Sequence, residues 1–482
     1  MTMVRSPARP CATSAPASSY PHRQERPIDM TVRSLEDKIR DLGNPAALFR
    51  NHHFTRAAFP FAPEFSGWPD EQRAWRDGVT LFDQSHIMSD VIFEGPDLRR
   101  LFSDHGVNSF TVFGKDRAKQ YVACNPNGRV IGDGVLFGLD EDRWGLCGNA
   151  DAHIAKWLMF RIETEGYDVT VDFDPASPRL QDRRSFRYQL NGPLTQRVIE
   201  KAVGGPVDHI PFFRIGDLRI AGRTLKALNH TMSGVPGAEF TGLELFGPAA
   251  DGQAVHDALV AAGEEFDLRR GGSRSYPTAA AESGWIARPV PAIYSGKDLK
   301  PYREWLPDTD LHANPSMQGS FASDDVEDYY ATPWALGYGR FIKHDHDFVG
   351  RDALRELEDQ PKRQKVWLVW NQDDVLRIMR DSLFGEEGKR PRILDLPMSY
   401  RNYHYDSVLD AQGSLVGVSM YAAYTVNLAN FVSLAMLDEV RAVDGKELTI
   451  VWGQEDGGAS NPFMFPHVQT TVRATVSTSP PA

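Results

Sequence analysis

The spacing of apolar residues changes once along this chain, near residue 365, and that change limits the folds open to it. Before that point, β-type runs and helical periodicity are interleaved. Phe82 to Phe93 alternates and carries β-branched residues, so it predicts a strand. Lys119–Val122 and Val130–Leu139 predict two more strands, with a turn at Pro126-Asn127-Gly128 between them. Ala150 to Glu165 sets Ile154, Trp157, Leu158 and Ile162 at the spacing of one helical face. Arg187–Leu190 predicts a short strand, and Gly192-Pro193 opens a helix running through Val203. Strand, strand, helix, strand, helix is the order of α+β layers rather than of alternating βαβ units. After residue 365 the runs are all β-type: Lys365–Trp370, Leu415–Met420, Val432–Leu437 and Leu448–Trp452. They predict a small C-terminal all-β barrel or sandwich. The chain has no internal repeat.

At 482 residues the chain is too long for one hydrophobic core. The expected division is a disordered tail at 1–29, an α+β region at 30–365 in two subdomains, a β-barrel at 366–476 and a short tail at 477–482. The first segment is rich in Pro, Ser, Ala and Arg, without apolar periodicity or the apolar core of a signal peptide. A helix is expected from Val32 to Arg40. Polar residues interrupt every apolar run well short of the roughly 20 residues of a membrane span. A formal net charge of −12 repels phosphate backbones, which argues against nucleic acid as a partner. Cys11, Cys124 and Cys147 are too scattered for a disulfide framework or a thiolate metal site. Reduced thiols in a cytoplasmic protein are expected.

The common cofactor fingerprints are absent. There is no G-x-x-x-x-G-K-[ST] loop, no G-x-G-x-x-G after a strand and no G-x-S-x-G elbow. His344 and His346 form an H-x-H pair, but no third ligand follows at a metal-binding spacing, so a turn leading into a helix is expected there and no metal site.

Two runs are more specific, Thr332-Pro-Trp-Ala-Leu-Gly-Tyr-Gly339 and Asp347-Phe-Val-Gly-Arg-Asp-Ala-Leu354. They resemble the signature of the glycine-cleavage T-protein (aminomethyltransferase) superfamily, which binds tetrahydrofolate. Further segments fit in order. Gln120-Tyr-Val through Gly128-Arg-Val-Ile-Gly-Asp133 resembles its strand–turn–strand ending in an acidic position, with Gly132 where the pattern has a second acid. Thr241-Gly-Leu-Glu244 resembles the segment whose glutamate grips the pterin. Gly272-Ser-Arg274-Ser-Tyr276 through Glu282-Ser-Gly-Trp285 matches the arginine-to-E-x-G stretch lining the folate site. A narrower resemblance is carried by Trp75-Arg76, Leu81-Phe-Asp-Gln-Ser-His86, Ala118-Lys-Gln-Tyr121, Pro291-Ala-Ile-Tyr-Ser-Gly296 and Tyr302-Arg-Glu-Trp-Leu-Pro307. These are similar to the bacterial vanillate and syringate O-demethylases, which transfer an aryl methyl group to tetrahydrofolate.

The resemblance implies an aminomethyltransferase-like α+β fold and a small methoxylated aromatic substrate whose methyl group passes to N5 of tetrahydrofolate. An aryl ether resists cleavage because phenolate leaves poorly, so the reaction needs alignment and a donor at the leaving oxygen. By its place in the motif, Tyr276 is the expected donor. His86 and Gln84, two apart at a strand end, are expected to face one side and orient Tyr276 or the substrate. Glu244 is expected to accept pterin N–H groups in bidentate fashion, Trp285 to supply a flat face, and Arg274 and Tyr121 to complete the cofactor site.

One departure concerns specificity. Vanillate-type members carry an arginine where this chain has Asn149 and a tyrosine where it has Phe59, and those groups hold the substrate carboxylate. A differently substituted ring, such as the chlorinated 2-methoxybenzoate dicamba, fits Asn149 and Phe59 better. Vanillate or syringate itself, an amine or sulfonium methyl donor, and a non-catalytic folate-binding role are the alternatives. The iron–sulfur assembly branch behind the last of these has a cysteine motif where this chain reads Lys343-His-Asp-His-Asp-Phe-Val.

Overall fold

The computed structural model describes residues 33–50, 61–149, 153–177, 179–230, 242–398 and 403–481. The tail expected at 1–29 lies outside the described residues, as do Phe59 and the side chain of Asn149.

Two mixed layers precede a barrel. The first sheet has six strands in the order Arg269–Arg270, Thr80–Asp83, Ser185–Asn191, Gly242–Pro248, Arg223–Leu228, Ile215–Ile220. The second has five, in the order Ala118–Cys124, Val130–Gly138, Arg143–Asn149, Met88–Glu94, Thr170–Asp174. Helices cover them. His153–Glu165 buries Ile154, Ala155, Trp157, Leu158 and Phe160, so the helical face expected from the spacing is the face that packs. Thr195–Val203 and Ala249–Gly263 bury Val198, Ile199, Val255 and Leu259 in the core of the six-stranded sheet.

The strand expected from Phe82 to Phe93 is two strands. The Asp83 carboxylate accepts the Ser85 N–H at 2.9 Å and caps a 3₁₀ turn over Gln84–His86. A short polar side chain that bonds its neighbouring backbone competes with the sheet ladder. The chain therefore leaves the six-stranded sheet after Asp83 and enters the five-stranded sheet at Met88.

The C-terminal β-type runs close into a six-stranded barrel: Arg363–Trp370, Asn430–Asp438, Leu415–Thr425, Asp406–Leu409, Glu447–Trp452 and Thr470–Ser477. Its interior holds Val366, Leu368, Val408, Leu437, Ile450 and Val472, all buried. The first barrel strand leans on the α+β region, where the Trp367 indole N–H donates to the Ala281 carbonyl at 2.8 Å and Lys365 Nζ to the Gly284 carbonyl at 2.6 Å. Gly284 has φ +76°, and a Cβ there would lie 2.2 Å from the Trp367 ring, so only glycine allows this approach. No helix among the described residues is long and apolar enough to cross a membrane.

Candidate active site

The two sheets are joined by buried charge. Arg187 and Gln189, two apart on Ser185–Asn191, share one face of that strand. Gln189 pairs across the ladder with Glu244 on Gly242–Pro248. Arg187 Nη1 donates to Glu244 Oε2 at 2.8 Å, and its Nε to Asp90 Oδ1 on the five-stranded sheet at 3.0 Å. Arg183 extends the network, donating to Asp90 at 2.8 Å and to Asp174 at 3.3 Å. Burial by itself would lower the Arg187 guanidinium, but Asp90 and Glu244 beside it raise it, so the cation is permanent. A fully buried ion network adds little net stability, yet loss of one member strands the others.

Glu244 lines a cavity of about 240 Å³. Trp285, Tyr338, His230 and Phe213 supply aromatic walls, and the Phe213 and His230 rings stack with centroids 5.3 Å apart. Arg340 and Lys365 bring positive charge to the same cavity. Burial, then the nearby Arg340, pulls the Lys365 amine down to about 8. Asp133, half-buried, stands on the wall and accepts from Gln120 Nε2 at 2.6 Å and from the Tyr338 hydroxyl at 2.9 Å. Burial pushes its carboxyl up to about 6, against the pull of the Tyr338, Trp285 and Gln120 donors. A larger cavity of about 430 Å³ shares no lining residue with this one. Within its lining Lys226 pairs with Asp217 at 2.8 Å and Arg184 with Asp172 at 2.5 Å.

Tyr276 opens a short 3₁₀ turn and is buried, its ring edge-on to Phe82 at 5.1 Å. A Cβ at Gly271 would fall 1.8 Å from Phe82, so glycine is required for that segment to lie against the ring. Gln84 Nε2 donates to the Tyr276 oxygen at 3.3 Å and to Gln189 Oε1 at 2.8 Å, and Gln189 Nε2 donates to Glu244 Oε1 at 3.4 Å. One hydrogen-bond chain thus connects Tyr276, Gln84, Gln189 and Glu244.

The remaining expected residues fall elsewhere. His86 does not face Tyr276 with Gln84. On a 3₁₀ turn residues two apart point in different directions. Its Nε2 meets Asp83 Oδ2 at 3.0 Å and its Nδ1 meets the Ser177 carbonyl at 2.9 Å. Burial lowers the imidazole, but Asp83 raises it further, and the net shift is upward. Arg274 is drawn away from the cavity by Glu64 and by the Leu396 carbonyl, the latter at 2.9 Å. Tyr121 is fully buried against Phe102, ring centroids 5.2 Å apart, and its hydroxyl has no partner among the described residues. Strand alternation explains it: Gln120, one residue earlier, faces the cavity, and Tyr121 faces the core. Asn149 ends its strand paired with Met88, directly after the cavity-lining Cys147 and Gly148. Gln189, Arg187, His230, Phe213 and Tyr338 were not expected as site residues.

Residues 43–288 match the model of the GCVT N-terminal domain. The chain is 38% identical over 453 residues to a syringate O-demethylase from a Sphingobium species, covering 93% of this chain and 96% of that protein. It is 29% identical over 416 residues to a sesamin methylene transferase from a Sinomonas species, covering 83% and 87%. The crystal structure of glycine cleavage system aminomethyltransferase T from Bartonella henselae superposes with a TM-score of 0.58 at 17% identity, over 89% of this chain and 95% of that one, a likeness of fold.

Proposed function

The chain belongs to the aminomethyltransferase family marked by the GCVT N-terminal domain, and on that premise we propose that it is a tetrahydrofolate-dependent O-demethylase. It moves the methyl group of a methoxylated aromatic compound to N5 of tetrahydrofolate, giving a phenol and 5-methyltetrahydrofolate. The supporting observation is that Glu244, on the cavity wall, and Tyr276, a buried phenol, are tied by one hydrogen-bond chain.

The cavity residues fit a reduced pterin. A carboxylate has about four acceptor sites. Arg187, Gln189 and His230 occupy three on Glu244, which leaves one for a ring N–H. A bidentate grip, as the resemblance implied, requires His230 or Gln189 to give way. The Ser283 hydroxyl oxygen lines the cavity, buried and without a partner among the described residues, and can meet a polar ring edge. Trp285 offers a flat face. Lys365 and Arg340 suit the carboxylates of the folate tail.

Tetrahydrofolate, when bound, supplies the nucleophilic nitrogen. Tyr276 donates its phenolic proton to the departing aryl oxygen; a phenol suits this role because phenols as a class are of similar acidity to the leaving group. Asp133, with a carboxyl at about 6, takes up the proton that methylation releases. The ring substituents of the substrate are read by Asn149 and Phe59, so a substrate held as vanillate is held is disfavoured and a chlorinated methoxybenzoate such as dicamba is a candidate.

The test is a panel of methoxyarenes, syringate, vanillate and dicamba among them, incubated with tetrahydrofolate. One 5-methyltetrahydrofolate should form per phenol. Demethylation that consumes oxygen and releases formaldehyde would overturn the proposal.

A further inference from the structure

We infer that Gln189 is a positioning residue that sets the direction of the hydrogen-bond chain, so that the Tyr276 oxygen accepts from Gln84 and the Tyr276 O–H is aimed away from it. The inference rests on the proposed methyl transfer and names a residue that controls its acid.

An amide side chain can turn over with almost no change of shape, so its two ends are told apart only by their partners. Here a charge tells them apart. Glu244, buried and paired with Arg187, can only accept. Gln189 must present Nε2 to it, which leaves Oε1 facing Gln84. Gln84 must then answer with Nε2. That group has two hydrogens, one for Gln189 at 2.8 Å and one for the Tyr276 oxygen at 3.3 Å. The opposite orientation of either amide would set two oxygens against each other. The forced orientation leaves Gln84 Oε1 buried with no partner among the described residues, a defect folded proteins keep only where geometry demands it. A donor at the phenol oxygen stabilises the phenolate and makes Tyr276 a better acid.

Gln189→Met keeps the volume and removes both contacts. Gln189→Glu keeps the polarity only while protonated: its O–H donates to Glu244 and its C=O accepts from Gln84. Single-turnover methyl transfer to tetrahydrofolate from the panel methoxyarene that the wild type uses best is followed across neutral pH. At saturating tetrahydrofolate, Gln189→Met should slow it roughly 10- to 100-fold at every pH, the scale of a misplaced reacting group. Gln189→Glu should approach wild-type rate in acid and fall toward the Met variant as pH rises, a titration that a packing role would not create. A Met variant at wild-type rate overturns the inference, as does a Glu variant whose profile parallels wild type. If Gln189→Met does not fold, the Glu profile decides. If the wild type transfers no methyl group from any methoxyarene, the parent proposal fails, and a crystal structure of Gln189→Met still judges this one. Loss of the Gln84–Tyr276 contact supports it, and an unchanged contact overturns it.

Discussion

Asp133→Asn tests the electrostatics of the cavity wall. The carboxyl lies at about 6 instead of 3.8, raised by burial against three donors that pull it down. At 1.36 kcal/mol per pKa step, the ionised form in the folded protein costs at most about 3 kcal/mol relative to the unfolded chain. The group touches the cavity, where water relieves part of that cost, so about 1–3 kcal/mol is expected. The pH window follows from the upward shift. Below about pH 4 the carboxyl is protonated in both states and costs nothing; between about pH 4 and 6 the unfolded chain loses its proton first and stability falls; above that the loss is complete. Asparagine has nearly the same shape and no charge. Its stability relative to wild type should rise by about 1–3 kcal/mol between about pH 4 and 7 and then level off. Urea unfolding of both proteins, followed by tryptophan fluorescence through the same transition, reads that difference, and titrations elsewhere cancel. A difference constant with pH, or one that shrinks as pH rises, would refute the reasoning.

Tyr276→Phe keeps the ring and removes the donor; kcat should drop by roughly 10²–10⁴-fold with folate affinity little changed, and a near-normal kcat with chemistry rate-limiting would reduce Tyr276 to packing. Arg187→Met leaves Glu244 without its arginine and Asp90 with Arg183 alone, so unfolding free energy should fall by about 3–5 kcal/mol in urea titrations near pH 7; a loss under about 1 kcal/mol would mean the network is not held as described. Asn149→Arg combined with Phe59→Tyr should raise kcat/KM for vanillate roughly tenfold to a hundredfold relative to other methoxyarenes, the worth of a charge-assisted carboxylate contact. A wild-type protein whose best substrate is already vanillate would falsify that account.

The misplaced site residues share a cause. Tyr121 and Gln120 are adjacent, and only the strand's facing decides which meets the cavity. Arg274 sits in the right segment, but Glu64, about two hundred residues earlier, claims its guanidinium. The alternating pattern predicts His86 on a strand, but the Asp83 cap puts it on a 3₁₀ turn. Arg187 and Gln189 did leave a trace in the sequence: two polar residues spaced by two within Phe186-Arg-Tyr-Gln-Leu190, a pattern that sets both on one face of a strand. That trace marks buried polar chemistry without naming its partners.

The amino-acid sequence by itself determined the α+β region, the helix packed through Ile154, Trp157 and Leu158, and the β-type C-terminal segment that closes as a barrel. Those features follow from local periodicity and turn residues, which a chain carries along its own length. It also marked Tyr276, Gln84, Glu244 and Trp285 through contiguous motifs. Tertiary structure alone decided that Gln84 reaches Tyr276 and not the solvent, that Gln189 links it to Glu244, and that Arg187 bridges two sheets through Asp90. These contacts join residues 55 to 192 positions apart, and the directions of the amide contacts depend on which end of an amide meets a fixed charge, a choice that exists only once the strands have paired in register.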